Sequence, residues 1–178
     1  MNTAQLRRVS AESFAHYRAG LVELLLDAVA GGASIGFLEG LSAAEANAYF
    51  DDVQAELNQG SRVLWAVVLA EQVVASVQLA LCQKPNGLNR AEVQKLMVRS
   101  DSRRHGLGAQ LMAALEGEAR QQSRGLLVLD TETGSGAEGF YRGLAYQRLG
   151  QIPDYACSPN GSYQPTSIYY KVLQGPRA

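Results

Sequence analysis

Cysteine and histidine are nearly absent: the 178 residues hold only Cys82 and Cys157, and His16 and His105. None of the four stands at metal-ligand spacing from another, so neither a zinc site nor a disulfide framework is expected. Charge is balanced as well, with Lys+Arg 16 against Asp+Glu 17 and a formal net charge of -1. A nucleic-acid binder displaces counterions with a basic surplus that this chain lacks, so no nucleic-acid partner is expected. Any anion it binds must be held locally. Long apolar runs are missing too. The most apolar helical stretch, Ala19 to Ala30, is broken by Glu23 and Asp27 and falls short of the roughly 20 residues a membrane span needs. The polar segment Met1 to Glu12 carries Arg7 and Arg8 without the apolar core of a secretory signal, so the cytoplasm is the expected location and no membrane partner is expected.

What is present is the composition of a folded globular chain, 47% hydrophobic and 19% charged, at a length that buries about 70% of the unfolded surface. One domain across residues 1–178 is expected. Gln5 to Val9 reads as a short strand, and Ser10 as the N-cap of a helix with Phe14, Tyr17, Leu21, Leu24, Leu25, Ala28 and Val29 at helical spacing, stopped by Gly31 and Gly32. Ser42 with Glu45 spells a capping box ahead of a second helix that Gly60 ends. Val63 to Leu69 and Val73 to Leu81 read as a hairpin, and Ala91 to Val98 as a third long strand. A helix from Leu107 to about Ser123 carries Leu107, Leu111, Met112 and Leu115 on one face. Leu126 to Thr131 suits a strand covered on both faces. Ser135 and Glu138 read as a second capping box, opening a helix to about Ala145. Strands at Tyr146 to Gly150 and Ser167 to Leu173, with a Pro153 to Pro165 loop between them, close an α/β pattern. Its fold class is a mixed, mostly antiparallel central sheet of about seven strands flanked by four helices.

Chemistry concentrates between Val93 and Leu111, where an apolar strand enters Arg103, Arg104, His105, Gly106, Leu107, Gly108 and Ala109 and then a helix. Glycines there let backbone N–H groups converge on an anion at the helix N-terminus, and Arg99, Arg103 and Arg104 add local positive charge. An ordinary tight turn capping the helix is the competing reading.

Leu96-Met97-Val98, Arg103-x-x-Gly106-x-Gly108 and Ala137-x-x-Phe140-Tyr141-x-x-Leu144-Ala145-Tyr146 together resemble the two main motifs of the Gcn5-related N-acetyltransferase (GNAT) family, over essentially the whole chain. Leu81 to Val98 and the Gly31 to Phe37 loop are similar to the tabtoxin-resistance branch of that family. The family's second motif often has Asn where this chain has Gly134, and its first motif usually has a small residue before the first glycine, where this chain has His105. The resemblance implies acetyl-CoA as co-substrate, with its pyrophosphate on the backbone of Arg104 to Ala109 and its pantetheine beside Leu96, Met97 and Val98. It further implies a Leu96 N–H aimed at the thioester oxygen, a catalytic Glu92 four residues earlier, and Tyr141 as general acid.

An aliphatic amine is protonated at pH 7, and freeing it costs about 4.6 kcal/mol, so a base is useful. Glu92, expected to alternate with Gln94, Leu96 and Val98 on its strand, and Asp130, ending an apolar strand, are the candidates; solvated strand edge and turn former are the competing readings. Trp65 reads as core or pocket wall. Lys84, Asn86, Asn89 and Arg90 are candidate acceptor-pocket residues, and Tyr155, Tyr163 and the Gly31 to Gly40 loop are candidates to close over it. The expected function is acetyl transfer to the primary amine of a small amino-acid-like acceptor, tabtoxin or tabtoxinine-β-lactam. Another small amine, a protein amine, or a non-catalytic acyl-CoA-binding module remain alternatives, as do monomer and homodimer.

Overall fold

The computed structural model describes residues 3–173. The chain runs β1 (Gln5–Val9), α1 (Phe14–Ala30), α2 (Ala43–Asn58), β2 (Arg62–Leu69), β3 (Gln72–Leu81), β4 (Arg90–Val98), α3 (Leu107–Gln121), β5 (Leu126–Glu132), α4 (Gly136–Gly143), β6 (Gln147–Cys157) and β7 (Tyr163–Val172). The strands form one seven-stranded sheet in the order β1-β2-β3-β4-β5-β7-β6. Every pair is antiparallel except β4 with β5. That parallel pair needs a crossover, and α3 supplies it.

Each face of the sheet carries its own core. Leu64, Ala66 and Met97 pack with Phe14, Leu21, Leu25 and Phe50 of α1 and α2. Val77, Leu79, Val93, Leu127 and Leu129 pack with Leu111, Met112 and Leu115 of α3 and with Tyr141 of α4. Among the described residues no helix is long and apolar enough to cross a membrane.

Ser42 and Glu45 make the full capping box, the Ser42 Oγ accepting from the Glu45 N–H at 3.2 Å and the Glu45 carboxylate accepting from the Ser42 N–H at 2.9 Å. Three expectations change. The N-cap of α1 is Ser13, because Ser10 bonds reciprocally with Ser13, N–H to Oγ at 3.0 and 3.2 Å, and so shapes the turn before the helix. Ser135 caps α4 without a side-chain bond: Glu138 turns inward instead, accepting from the Gly134 N–H and the Tyr169 hydroxyl, each at 2.8 Å. Gly134, at φ +83°, aims its N–H there. Finally, β6 and β7 run through most of the expected Pro153 to Pro165 loop, since Pro153 and Pro165 fall in a register irregularity between Ile152 and Ala156. No ladder donor is needed at such a position, and β6 is an edge strand.

Candidate active site

Strands β4 and β5 pair only from Arg90↔Leu126 to Glu92↔Val128. Beyond that rung they part, and a cleft of about 440 Å³ opens between them, roofed by residues 32–36 of the α1–α2 loop. Glu92, Leu96, Asp130 and Tyr141 all line it. The open side of β5 also corrects the expectation of a strand covered on both faces: α3 covers one, and Asp130 lies on the other, exposed to the cleft.

A β-bulge shapes the cleft wall. Gln94 pairs with Gln78 and Met97 with Ser76, so Lys95 and Leu96 together oppose Val77. Lys95 sits at φ +49°, a left-handed conformation rare for a side chain of this kind. The extra residue reverses the strand's alternation. Val93 packs toward α3, Met97 packs toward α1 and α2, and Leu96 and Val98 pack toward α3. The expected shared face of Glu92, Gln94, Leu96 and Val98 therefore holds only to Gln94. The Arg99 N–H donates to Val74 of β3 at 2.8 Å. Counting back in twos then turns the N–H groups of Leu96 and Val98 toward the edge that β5 has left.

The two carboxylates meet on one face. Val128 pairs beside Glu92, and Asp130 lies two residues further along β5 on the same side. The cleft walls desolvate Asp130 and the Glu92 charge adds to this, so its carboxyl rises above the ordinary range, with Lys95 partly offsetting the rise. Tyr141 is buried at 8% exposure, edge-on to Phe140 at 5.3 Å and to Tyr146 at 5.7 Å between ring centroids. Burial, and secondarily Asp130, push its phenol up to about 12, so it stays protonated.

At the end of β4 the chain makes a nest for an anion. Arg104 (φ +65°) and Gly106 (φ +76°) both adopt left-handed backbone, and Gly106 is the N-cap of α3 without any side chain to cap it. The first helical bond is from the Gln110 N–H to the Gly106 carbonyl at 3.1 Å, and no N–H from Arg104 to Ala109 finds an acceptor among the described residues. These donors at a helix N-terminus suit a pyrophosphate. Arg103 turns back, its Nε donating to the Val98 carbonyl at 3.2 Å, and Arg99 pairs with Asp101 at 2.9 Å. Arg104 is the guanidinium of the three without a partner among the described residues. His105 rests its Nδ1 at 3.3 Å from the Ser102 carbonyl. A Cβ on Gly108 would stand 3.2 Å from the Phe140 ring, so that glycine also serves the packing of α3 on α4.

Other candidates lie elsewhere. The loop from Lys84 to Arg90 is tied to the α3–β5 turn, with the Gly125 N–H on Asn89 at 3.0 Å and Arg124 on the carbonyls of Cys82 and Leu88, and it lines no part of the cleft. Trp65 packs against the core beneath α3. Tyr155 lines the cleft, whereas Tyr163 is exposed and outside it. Lys95, also in the cleft wall, escaped the sequence reading.

The family description "Acetyltransferase (GNAT) family" matches residues 21–146. The L-methionine sulfoximine/L-methionine sulfone acetyltransferase of Pseudomonas paraeruginosa is 30% identical over 135 residues, covering 75% of this chain and 77% of its own. Its namesake from Pseudomonas aeruginosa matches to the same extent, 30% over 135 residues. Among solved structures, a putative acetyltransferase of Acinetobacter baylyi superposes with a TM-score of 0.81 at 17% identity, over 99% of this chain and 95% of that one. The putative acetyltransferase yncA of Salmonella typhimurium, solved with acetyl-CoA, gives 0.78 at 16% identity, over 99% and 97%. By fold and by sequence alike, this chain belongs to the GNAT family and is an acetyl-CoA-dependent N-acetyltransferase.

Proposed function

We propose that the whole chain acts as one catalytic unit that acetylates the primary amine of a small amino-acid-like acceptor, by direct attack in a ternary complex. The observation that carries this reading is the convergence of Glu92, Asp130, Leu96 and Tyr141 on one cleft where β4 leaves β5. The named acceptors of the Pseudomonas relatives, L-methionine sulfoximine and L-methionine sulfone, are both α-amino acids. The loop resemblance to the tabtoxin-resistance branch points to the same class, with tabtoxinine-β-lactam as a member.

Acetyl-CoA supplies the activated acetyl group. Backbone N–H groups from Arg104 to Ala109 and the Arg104 guanidinium hold its pyrophosphate, Arg103 and His105 fix the turn that presents them, and Leu96, Met97 and Val98 form the strand its pantetheine follows. Glu92 and Asp130 take the proton that the attacking nitrogen loses, directly or through water. The raised carboxyl of Asp130 suits it to this work. The Leu96 N–H donates to the carbonyl oxygen as negative charge gathers there. Tyr141 donates its hydroxyl proton toward the departing sulfur. A phenol near 12 facing a thiol near ~8.5 acts chiefly as a hydrogen-bond donor while charge develops.

A thiol-release assay of acetyl-CoA against tabtoxinine-β-lactam, L-methionine sulfone, dipeptides and polyamines tests the reading. Turnover confined to amino-acid acceptors supports it, and turnover confined to polyamines or proteins overturns it.

A further inference from the structure

Lys95 is unusual in three respects. It occupies the left-handed position of the bulge, at φ +49° in mid-strand. Its ammonium lies over two aromatic rings, 5.6 Å from the Phe37 centroid and 5.5 Å from that of Tyr49. It has no hydrogen bond or ion pair among the described residues, although Glu92 and Asp130 line the same cleft.

These features describe a cation held in place without a direct ion-pair partner. Phe37 and Tyr49 stand edge to face, 5.3 Å between centroids, and the Tyr49 hydroxyl is itself fixed by donating to Gln78 at 2.9 Å. Gly36, at the left-handed φ of +90°, brings the loop backbone alongside, the place of its missing Cβ lying at contact distance, 3.5 Å, from the Lys95 Nζ. The nearby cation Arg62 is already engaged, by Glu56 and by the side-chain oxygens of Gln78 and Gln94 at 2.7 and 2.9 Å. Burial, and secondarily Arg62, lower the Lys95 pKa, while Asp130 and Glu92 raise it. An anion in contact would restore the charge that burial disfavours. Position separates this cation from the acetyl-CoA nest. The side chains of Leu96 and Val98 pack toward α3, whereas Lys95 lies with residues of the α1–α2 side, beneath the 32–36 loop.

We propose that Lys95 binds the carboxylate of the acceptor, so that the cleft selects a zwitterion: amine toward Glu92 and Asp130, carboxylate toward Lys95. The assignment rests on the acceptor reading above and adds the residue that enforces it. Strain and desolvation at a cleft residue are expected when the ligand supplies what the fold withholds.

The test compares L-methionine sulfone with its carboxamide, which keeps the amine and removes the negative charge, on wild type and Lys95→Met. Wild type should prefer the acid, and the variant should lose on the order of 10- to 100-fold of that preference in kcat/KM, as for a charge-assisted hydrogen bond. Calorimetric affinity for acetyl-CoA should stay within about twofold, because the lysine lies off the nest. Lys95→Asn, which suits left-handed backbone, serves where the methionine variant is unstable. An unaltered acid-to-amide ratio in a folded variant overturns the proposal. So does an equal loss on both acceptors with a shifted pH profile, which would make Lys95 a tuner of the carboxylates. If wild type turns over neither compound but does acetylate polyamines, the acceptor reading itself fails, and this assignment with it.

Discussion

Glu92 and Val128 form the last rung joining β4 to β5, and the cleft begins where the next rung would have been. One residue beyond Gln94, the bulge at Lys95 reverses the face of β4. A single strand thereby presents a carboxylate and a cation to the cleft beneath the 32–36 loop while sending Leu96 and Val98 toward α3. The parallel pair creates the gap, and the bulge decides what faces it.

Gly106 isolates the backbone contribution proposed for acetyl-CoA binding. It stands at φ +76° with nothing within 4 Å of a Cβ placed there, so space is not the constraint. Gly106→Val forces a β-branched residue into the left-handed region at about 1–3 kcal/mol, and affinity for acetyl-CoA should fall about tenfold or more by calorimetry. Gly106→Asn, which tolerates that backbone, should bind within about threefold of wild type. Equal affinities for all three proteins would detach the nest from the cofactor. Gly108 is the poorer probe, because its Cβ would press on Phe140 at 3.2 Å.

Tyr141→Phe keeps the buried ring and removes only the hydroxyl. The kcat should drop by roughly 10- to 1,000-fold, with little change in acetyl-CoA affinity. Wild-type turnover in the variant would reduce Tyr141 to packing between Phe140 and Tyr146.

For the carboxylates, the pH dependence is more telling than the rate. Glu92→Gln and Asp130→Asn should each lower kcat/KM, and the deficit should narrow as pH nears the acceptor's own pKa, where free amine no longer needs a base. A contact that merely binds the ammonium would raise KM at every pH instead. Asp130 also has a stability signature. Its folded pKa is raised, so its contribution favours folding below its unfolded pKa and is lost as pH rises through the folded value. Asp130→Asn should therefore raise the Tm slightly at pH 7 while impairing turnover, and a lowered Tm there would contradict the burial argument.

The buried Glu138 has the opposite sign. Its carboxyl is held below the usual range, first by the Gly134 N–H and then by the Tyr169 hydroxyl. Its stabilisation is present above the unfolded pKa and lost as pH falls through the folded one. Glu138→Ala should cost about 2–4 kcal/mol in urea melts at pH 7, by leaving both donors unsatisfied. The penalty should shrink in acid. A constant penalty down to pH 3 would show that side-chain packing, not the charge, is what counts.

Legibility tracked the range of the interaction. The Ser42 and Glu45 box, the Gly31 and Gly32 stop and the apolar stripe of α3 depend on neighbours a few residues apart, and each forms as the sequence suggests. The second box failed because Glu138 had a competing partner, Tyr169, on a distant strand. The bulge at Lys95 carries no glycine or turn residue to announce it; it follows from the pairing of β3 with β4. Glu92 and Asp130 were visible as isolated carboxylates on strands. Their meeting, and the presence of Lys95 in the same cleft, required the register of β4 against β5.

Direct transfer is the claim most open to a single measurement: thiol release followed by stopped flow, with enzyme and acetyl-CoA mixed first and L-methionine sulfone added second. Direct attack predicts no thiol before the acceptor arrives, then one thiol released for each N-acetylated product found by mass spectrometry. Release of one equivalent of thiol before the acceptor, with the acetyl group recovered on the protein, would contradict it.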